Sequence, residues 1–223
     1  MSAPEDLAVT TSATAPSGTP ARRGGGRFEA LVSLIGETNS VLDVGCRDGI
    51  LRRYLPASAA YTGMDIYEPA DIIASAEETL PVEDSSFETV VYADVLEHLD
   101  KPHFALMEGM RAATGSIVIA LPNVFVIHQR LAFLRGRMAT RKYDFGPVDP
   151  GDRHRWVMNV AQARAFAHGC AAQGGWHVTA EIAHDGGFRR PFRRVALEIL
   201  SRTSGPDLWA TTYMARLEPL PSA

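Results

Sequence analysis

The chain of 223 residues has little cysteine. Cys46 and Cys170 are too few for a disulfide framework and lack the spacing of a metal-ligand set, so a reducing, cytoplasmic setting is expected. No apolar run approaches the ~18 residues that a membrane span needs, and no basic-then-apolar leader opens the sequence. Positive charge is not in excess either. The 22 Lys and Arg against 26 Asp and Glu leave a net charge of −4, which argues against a general nucleic-acid binder. What is present is ordinary for one soluble globular domain: 46% hydrophobic and 22% charged residues, in a chain long enough for a real core.

The charge is unevenly placed. Residues 1–122 hold eight Lys and Arg against 18 Asp and Glu, whereas residues 123–223 hold 14 against eight. The basic half therefore meets something polar or anionic, or pairs with the acidic half. Met1 to Gly26 is rich in Ala, Thr, Ser, Pro and Gly and buries little, so it reads as a disordered leader; Arg22, Arg23 and Arg27 near its end read as solvated.

From Arg27 the sequence alternates helices and strands. Phe28, Leu31, Leu34 and Ile35 share one face of a helix over 27–37. "SVLDVG" reads as a strand and "RDGILRRYL" as a helix stopped by Pro56. "AAYTGMDIY", "ADIIAS", "ETVVYAD" and "GSIVIALP" read as further strands, "KPHFALMEGMRAA" as a helix with Pro102 in its first turn, and "NVAQARAFAHGCAAQG" as a helix closed by Gly174. "WHVTAEIAH" and "RRVALEILSR" read as the last two strands. Such alternation predicts a mostly parallel sheet covered on both faces, in one domain over 27–223. Residues 123–156 interrupt it. More than 30 residues between a strand and the next helix suggest a functional lid.

A buried strand that ends on Asp43, Gly45 and Gly49 needs a partner for its polar groups, and a ligand lying across the turn supplies one. The glycines let backbone approach that ligand closely. Their spacing is that of neither a pyrophosphate-binding Gly-x-Gly-x-x-Gly turn nor a P-loop. Asp65, about twenty residues on, ends the next strand, where a carboxylate can accept both hydroxyls of a ribose.

These motifs resemble the class I S-adenosylmethionine-dependent methyltransferases over roughly Val41 to Leu121. "LDVGCRDG" is similar to the family's first turn and "GMDIY" to its ribose-binding strand end. "LPVEDSSFETVVYADVLEHLDKP" is similar to the signature of the ubiquinone-type and small-molecule subgroup. The resemblance implies a Rossmann-like, seven-stranded sheet with the last strand antiparallel. It also implies S-adenosyl-L-methionine over Asp43, Gly45, Cys46 and Gly49, ribose on Asp65 and Ile66, adenine beside Ala76 and Glu77, and the methionine end near Ala93 and Asp94. Arg47 stands where the family usually has glycine, and Ala76 where an Asp commonly holds the adenine amino group. His98 in "LEHL" and Cys46 both read from their neighbours as structural residues, Cys46 as a small turn residue.

Methyl transfer from a sulfonium is an in-line displacement that needs alignment, and a base where the acceptor is a hydroxyl. The acceptor pocket is expected from the insertion. Within "GDRHRW", His154 is the candidate base and Asp152 its orienting or metal-sharing neighbour; His128 and His184 are rivals. Asp94, Tyr143, Arg153 and Trp156 are candidate acceptor contacts, and Arg189, Arg190, Arg193 and Arg194 flank the same mouth or border the sheet edge. A divalent cation, magnesium, could be reached by Asp94, Asp152 and His154. The Arg-, His-, Asp- and aromatic-rich insertion suits a sugar or oligosaccharide hydroxyl, which makes O-methylation the expected reaction.

Two alternatives stand beside it. One is a small-molecule N-methyltransferase. The other is a non-catalytic donor-binding partner subunit, because "Pro-Asn…Arg-Leu…Leu-Arg-Gly-Arg" and a late His are similar, up to about residue 160, to methyltransferase-like proteins associated with methionine biosynthesis. An RNA methyltransferase is disfavoured, since no Asn/Asp-Pro-Pro-aromatic motif follows the fourth strand. A homodimer is compatible with the sequence, which does not identify the oligomeric state.

Overall fold

The computed structural model describes residues 21–23, 26–137, 141–143, 147, 153–186 and 202–221. Nearly every residue is apolar in the middle of β2 (Ser40–Val44), β5 (Phe87–Ala93) and β6 (Ala113–Pro122), because both faces of the sheet are covered. Successive side chains enter opposite layers. Leu42, Val44, Val90, Tyr92, Ile117 and Ile119 join one core with helices α2 (Pro102–Ala112) and α4 (Val160–Gln173). Val41, Val91, Val118 and Ala120 join a second core under α1 (Arg27–Ile35), whose Leu31, Leu34 and Ile35 form its buried stripe.

From β2 the chain builds outward through β3 (Ala60–Asp65) and the two-residue β4 (Ile72–Ile73), then crosses back so that β5 pairs with the other side of β2. Beyond β6, strand β8 (Thr212–Pro219) lies antiparallel between β6 and β7 (Trp176–His184). These seven strands make the mostly parallel, Rossmann-like sheet that the sequence implies, with the last strand antiparallel and helices on both faces. The three-residue β1 (Ala21–Arg23) adds an eighth at the edge, parallel to β7, in the order β1-β7-β8-β6-β5-β2-β3-β4.

Local expectations change in three places. Ala21–Arg23 falls inside the segment read as a disordered leader and is a strand; residues 1–20 lie outside the described residues. The helix expected over 47–55 is only a 3-10 turn, Ile50–Arg53, because left-handed Gly49 (φ 66°) and Pro56 leave too few residues between them to nucleate an α-helix. The strand expected at 193–202 lies outside the described residues apart from Arg202, which is helical. The strand that completes the sheet is Thr212–Pro219. Its first half, Thr212–Ala215, is buried between two neighbours and shows no apolar–polar alternation, and the alternation of Ala215–Glu218 is too short to mark a strand by itself.

The insertion carries α3 (Ile127–Leu134), none of whose residues is buried, and a 3-10 turn at Arg141–Tyr143. Among the described residues no helix is long and apolar enough to cross a membrane.

Candidate functional site

Since β3 and β5 leave β2 in opposite directions, a crevice opens beyond the carboxyl ends of β2 and β5. Asp43 lies there, 3% exposed, with Oδ2 accepting the Tyr61 hydroxyl at 2.8 Å. Burial, opposed by that hydrogen bond and reinforced by the charge of Asp65, pushes its pKa up to about 7. Gly45 follows at φ 74°, and a Cβ on it would stand 2.4 Å from Val95 Cγ2, so the turn accepts no side chain there.

The next residues explain a departure from the family pattern. Arg47, at the usual glycine position, holds a left-handed backbone (φ 51°) that glycine would adopt without strain, and its N–H donates to Asp65 Oδ2 at 2.9 Å. Tyr67 N–H donates to Oδ1 of the same carboxylate at 3.2 Å. Asp65 is thereby held at the end of β3, facing the turn, with Ile66 exposed beside it. The buried thiol of Cys46 is pushed up to about 11 by burial, with the charges of Asp43 and Asp65 adding, and is unreactive.

Ala76 packs into the core. Glu77, expected beside an adenine, directs its two carboxylate oxygens at the N–H groups of Asp100 (2.6 Å) and Lys101 (3.1 Å), fixing the approach to α2. Ala93 closes β5 and packs toward α1, and Asp94 adopts φ 57° and pairs with Arg27 in the first turn of α1.

The segment 153–156 folds back onto the turn that follows β5. Arg155 N–H (2.8 Å) and Trp156 N–H (3.3 Å) both donate to the Glu97 carbonyl, Arg155 also pairs with Asp100, and the Trp156 indole donates to the Leu99 carbonyl at 2.7 Å. This return brings His154 (side chain 6% exposed) to Glu97 (0% exposed), with Nε2 3.8 Å from Oε1. His98 Nε2 stands 3.9 Å from the same oxygen, and the two imidazoles meet edge to face at 4.6 Å between centroids.

The hydrogen bonds fix the tautomers. His98 Nδ1 lies 2.8 Å from the Arg153 carbonyl, which only accepts, so Nδ1 carries the proton. Tyr143 Oη donates to the Trp156 carbonyl at 3.1 Å, so its 3.0 Å contact with His154 Nδ1 is donated by the imidazole. Both Nε2 lone pairs then face Glu97, whose two oxygens have no hydrogen-bond partner among the described residues. Burial, with the Asp94 charge adding to it, pushes the Glu97 carboxyl well above the carboxylate range. Burial likewise lifts Tyr143 to about 12, with the Glu97 charge contributing. A small, mainly apolar cavity lined by Leu96, His103, Trp156, Met158 and Phe166 adjoins this cluster.

The structure thus brings His154, Tyr143, Arg153 and Trp156 to one place, with His98 and Glu97 added. Asp152, Arg189, Arg190, Arg193 and Arg194 lie outside the described residues. His128 sits on α3, and His184 is buried at the end of β7 with Nδ1 accepting from Gly186 N–H at 3.1 Å. The sequence did not single out Glu97 and His98 as site candidates because Leu96 and Leu99 bracket the pair; the available signal was Asp94-x-x-Glu97-His98, which puts three polar groups just past a strand end.

Residues 42–118 match a family described as a methyltransferase domain. No curated protein matches the chain in sequence. Among solved structures, a SAM-dependent methyltransferase from Archaeoglobus fulgidus is similar over 86% of this chain and 91% of that one, at 17% identity and a TM-score of 0.55. An S-adenosylmethionine-dependent methyltransferase from Listeria monocytogenes, described as putative, covers 86% and 96% at 12% identity and a TM-score of 0.59. Magnesium protoporphyrin IX methyltransferase from Synechocystis, with bound SAH, covers 86% and 80% at 13% identity and a TM-score of 0.53. At these identities the structural likeness is one of fold.

Proposed function

We propose that this chain, an S-adenosylmethionine-dependent methyltransferase, methylates a hydroxyl of a small polar acceptor, a sugar or oligosaccharide. In this reading the donor lies over Asp43, Gly45, Cys46 and Gly49, its ribose hydroxyls reach Asp65, and its methionine end approaches Ala93. Ile66 stands beside the ribose, and Ala76 and Glu77 flank the adenine. The crevice at the strand-order reversal and the Asp65 carboxylate, held at the end of β3 by the Arg47 N–H, support that placement.

The observation that carries the hydroxyl acceptor is the buried cluster of Glu97, His98 and His154 just beyond β5. A neutral amine already presents a lone pair to the sulfonium, whereas a hydroxyl keeps its proton at neutral pH. A positioned proton acceptor then matters by about 10²–10⁴-fold. As the S–CH3 bond breaks and the O–CH3 bond forms, the hydroxyl proton passes to Nε2 of His154, whose Nδ1 is anchored on Tyr143. Trp156, half exposed beside the apolar cavity, offers its ring to the C–H face of a sugar, and Asp94 and Arg153 offer polar contacts to the remaining hydroxyls. Two buried free cysteines fit a reducing, cytoplasmic setting.

The test supplies methyl-labelled donor with a panel of mono- and oligosaccharides and of amines. Label is expected on a sugar hydroxyl, and His154→Ala should lower that turnover by about 10²–10⁴-fold with donor affinity unchanged. Label confined to amines, or full turnover by His154→Ala, refutes the reading.

A further inference from the structure

We propose that Glu97, His98 and His154 form a binding site for a divalent transition-metal ion of the zinc class, with one coordination position left open toward the acceptor side. The site does not depend on the proposed acceptor, and only the use of its open position rests on that reading.

One ring nitrogen of His98, one of His154 and a Glu97 oxygen all lie within 4.8 Å of one another, and Nε2 of each ring stands 3.9 and 3.8 Å from Glu97 Oε1. Both imidazoles carry their proton on Nδ1, the one held by the Arg153 carbonyl and the other by the Tyr143 hydroxyl, so each presents a lone pair on Nε2. A backbone carbonyl or a hydroxyl on the far ring nitrogen is the usual way in which a protein orients a metal-ligating histidine. Three acceptors consequently converge on one point.

Glu97 supplies the independent observation. It is fully buried, both of its oxygens lack a hydrogen-bond partner among the described residues, and Oε1 is aimed between the two rings at 3.8 and 3.9 Å. Those separations exceed a hydrogen bond and suit a shared cation. Ligands at zinc distances of about 2.0–2.1 Å stand roughly 3.3–3.4 Å apart around a tetrahedron, so the two separations from Glu97 would close by about 0.5 Å on binding.

The ligand types select the ion. Magnesium favours a shell of oxygens, many of them water, whereas two imidazoles and a carboxylate suit zinc, cobalt or manganese. Glu97 and His98 are adjacent on one turn, and His154 arrives from more than fifty positions further on, at the far end of the insertion. A bound ion would therefore clasp the returning segment 153–156 to the turn after β5. Three protein ligands leave a fourth position for water or an acceptor hydroxyl, where an ion lowers the pKa of the bound oxygen. In the metal-loaded protein Nε2 of His154 is a ligand, and the proton-accepting role assigned to it above belongs to the metal-free protein.

The experiment uses the full chain, stripped with chelator and titrated calorimetrically with zinc, with magnesium as comparison. One zinc per chain is expected, bound at least tenfold more tightly than magnesium, with a rise in melting temperature. Glu97→Gln keeps the shape and removes the anionic ligand, and should weaken zinc binding at least tenfold, as should His98→Ala. Cobalt provides a readout that needs no variant: its visible absorption should show the intense bands of a four-coordinate ion. Absence of saturable zinc binding, equal affinity in Glu97→Gln, or only the weak bands of an octahedral cobalt ion would overturn the proposal. Zinc binding without sugar methylation would refute the acceptor reading alone, and sugar methylation that needs His154 in protein unable to bind zinc would refute the metal site alone.

Discussion

Replacing Gly45 by alanine tests the turn to which the proposed function assigns the donor. Two costs can be worked from its geometry. An L-residue at φ 74° bears a left-handed penalty of about 1–2 kcal/mol. The new methyl also falls 2.4 Å from Val95 Cγ2 and 3.2 Å from Val95 Cγ1, inside contact distance, and forcing such a group into a packed site costs about 1–3 kcal/mol. Alanine restricts the unfolded chain and returns about 0.4–1 kcal/mol. The net loss is roughly 1.5–4 kcal/mol, a large part of the ~5–15 kcal/mol that holds a domain of ordinary stability. Urea unfolding followed by tryptophan fluorescence measures it, with the midpoint falling and the slope unchanged. Val95→Ala in the same background separates the two costs, because it removes the clashing methyls and leaves the backbone penalty. The double variant should be more stable than the sum of the single losses by about 1–3 kcal/mol. A loss under about 0.5 kcal/mol for Gly45→Ala, or a cycle additive to within about 0.5 kcal/mol, would refute the steric argument.

Two other predictions concern the donor. Asp65→Ala should weaken S-adenosylmethionine binding by roughly 1.5–3 kcal/mol for each charge-assisted hydrogen bond to a buried ribose hydroxyl, and less where water reaches it; unchanged affinity by calorimetry rules out Asp65 as the ribose ligand. Asp43, its pKa pushed up to about 7 by burial, is largely protonated in mild acid, while a cationic donor favours its ionised form. Binding below that pKa must therefore expel a proton, so affinity should rise with pH between about 5.5 and 8 and level off above. Asp43→Asn should flatten the profile, and binding heats at about pH 6 that are identical in buffers of different ionisation enthalpy would contradict the linkage.

Much of the fold was legible in the sequence because it rests on local and periodic signals. The β-branched runs of β2, β5 and β6 report burial on two faces. Pro102 and Gly174 mark helix ends through their own backbone limits. Asp43, Gly45, Gly49 and Asp65 were legible as a set because a strand-end turn needs those residue types at those positions.

The remainder depended on contacts that no local pattern encodes. Thr212–Pro219 became a strand through pairing with β6 and β7 on either side, and the four-residue turn after Gly49 followed from the confinement between a left-handed residue and a proline. The fold likewise set the Glu77 carboxylate on the N–H groups of Asp100 and Lys101. His98 read as structural beside Leu96 and Leu99, and Glu97 drew no attention. Only the return of residues 153–156, fixed by backbone hydrogen bonds to the Glu97 carbonyl, set His154 against them. The sequence by itself determined the parallel strands from β2 to β6 and the helices α1, α2 and α4, since propensity, periodicity and steric limits act over a few residues. The tertiary structure alone decided the Glu97, His98 and His154 cluster, since it joins residues more than fifty positions apart and its chemistry arises from burial.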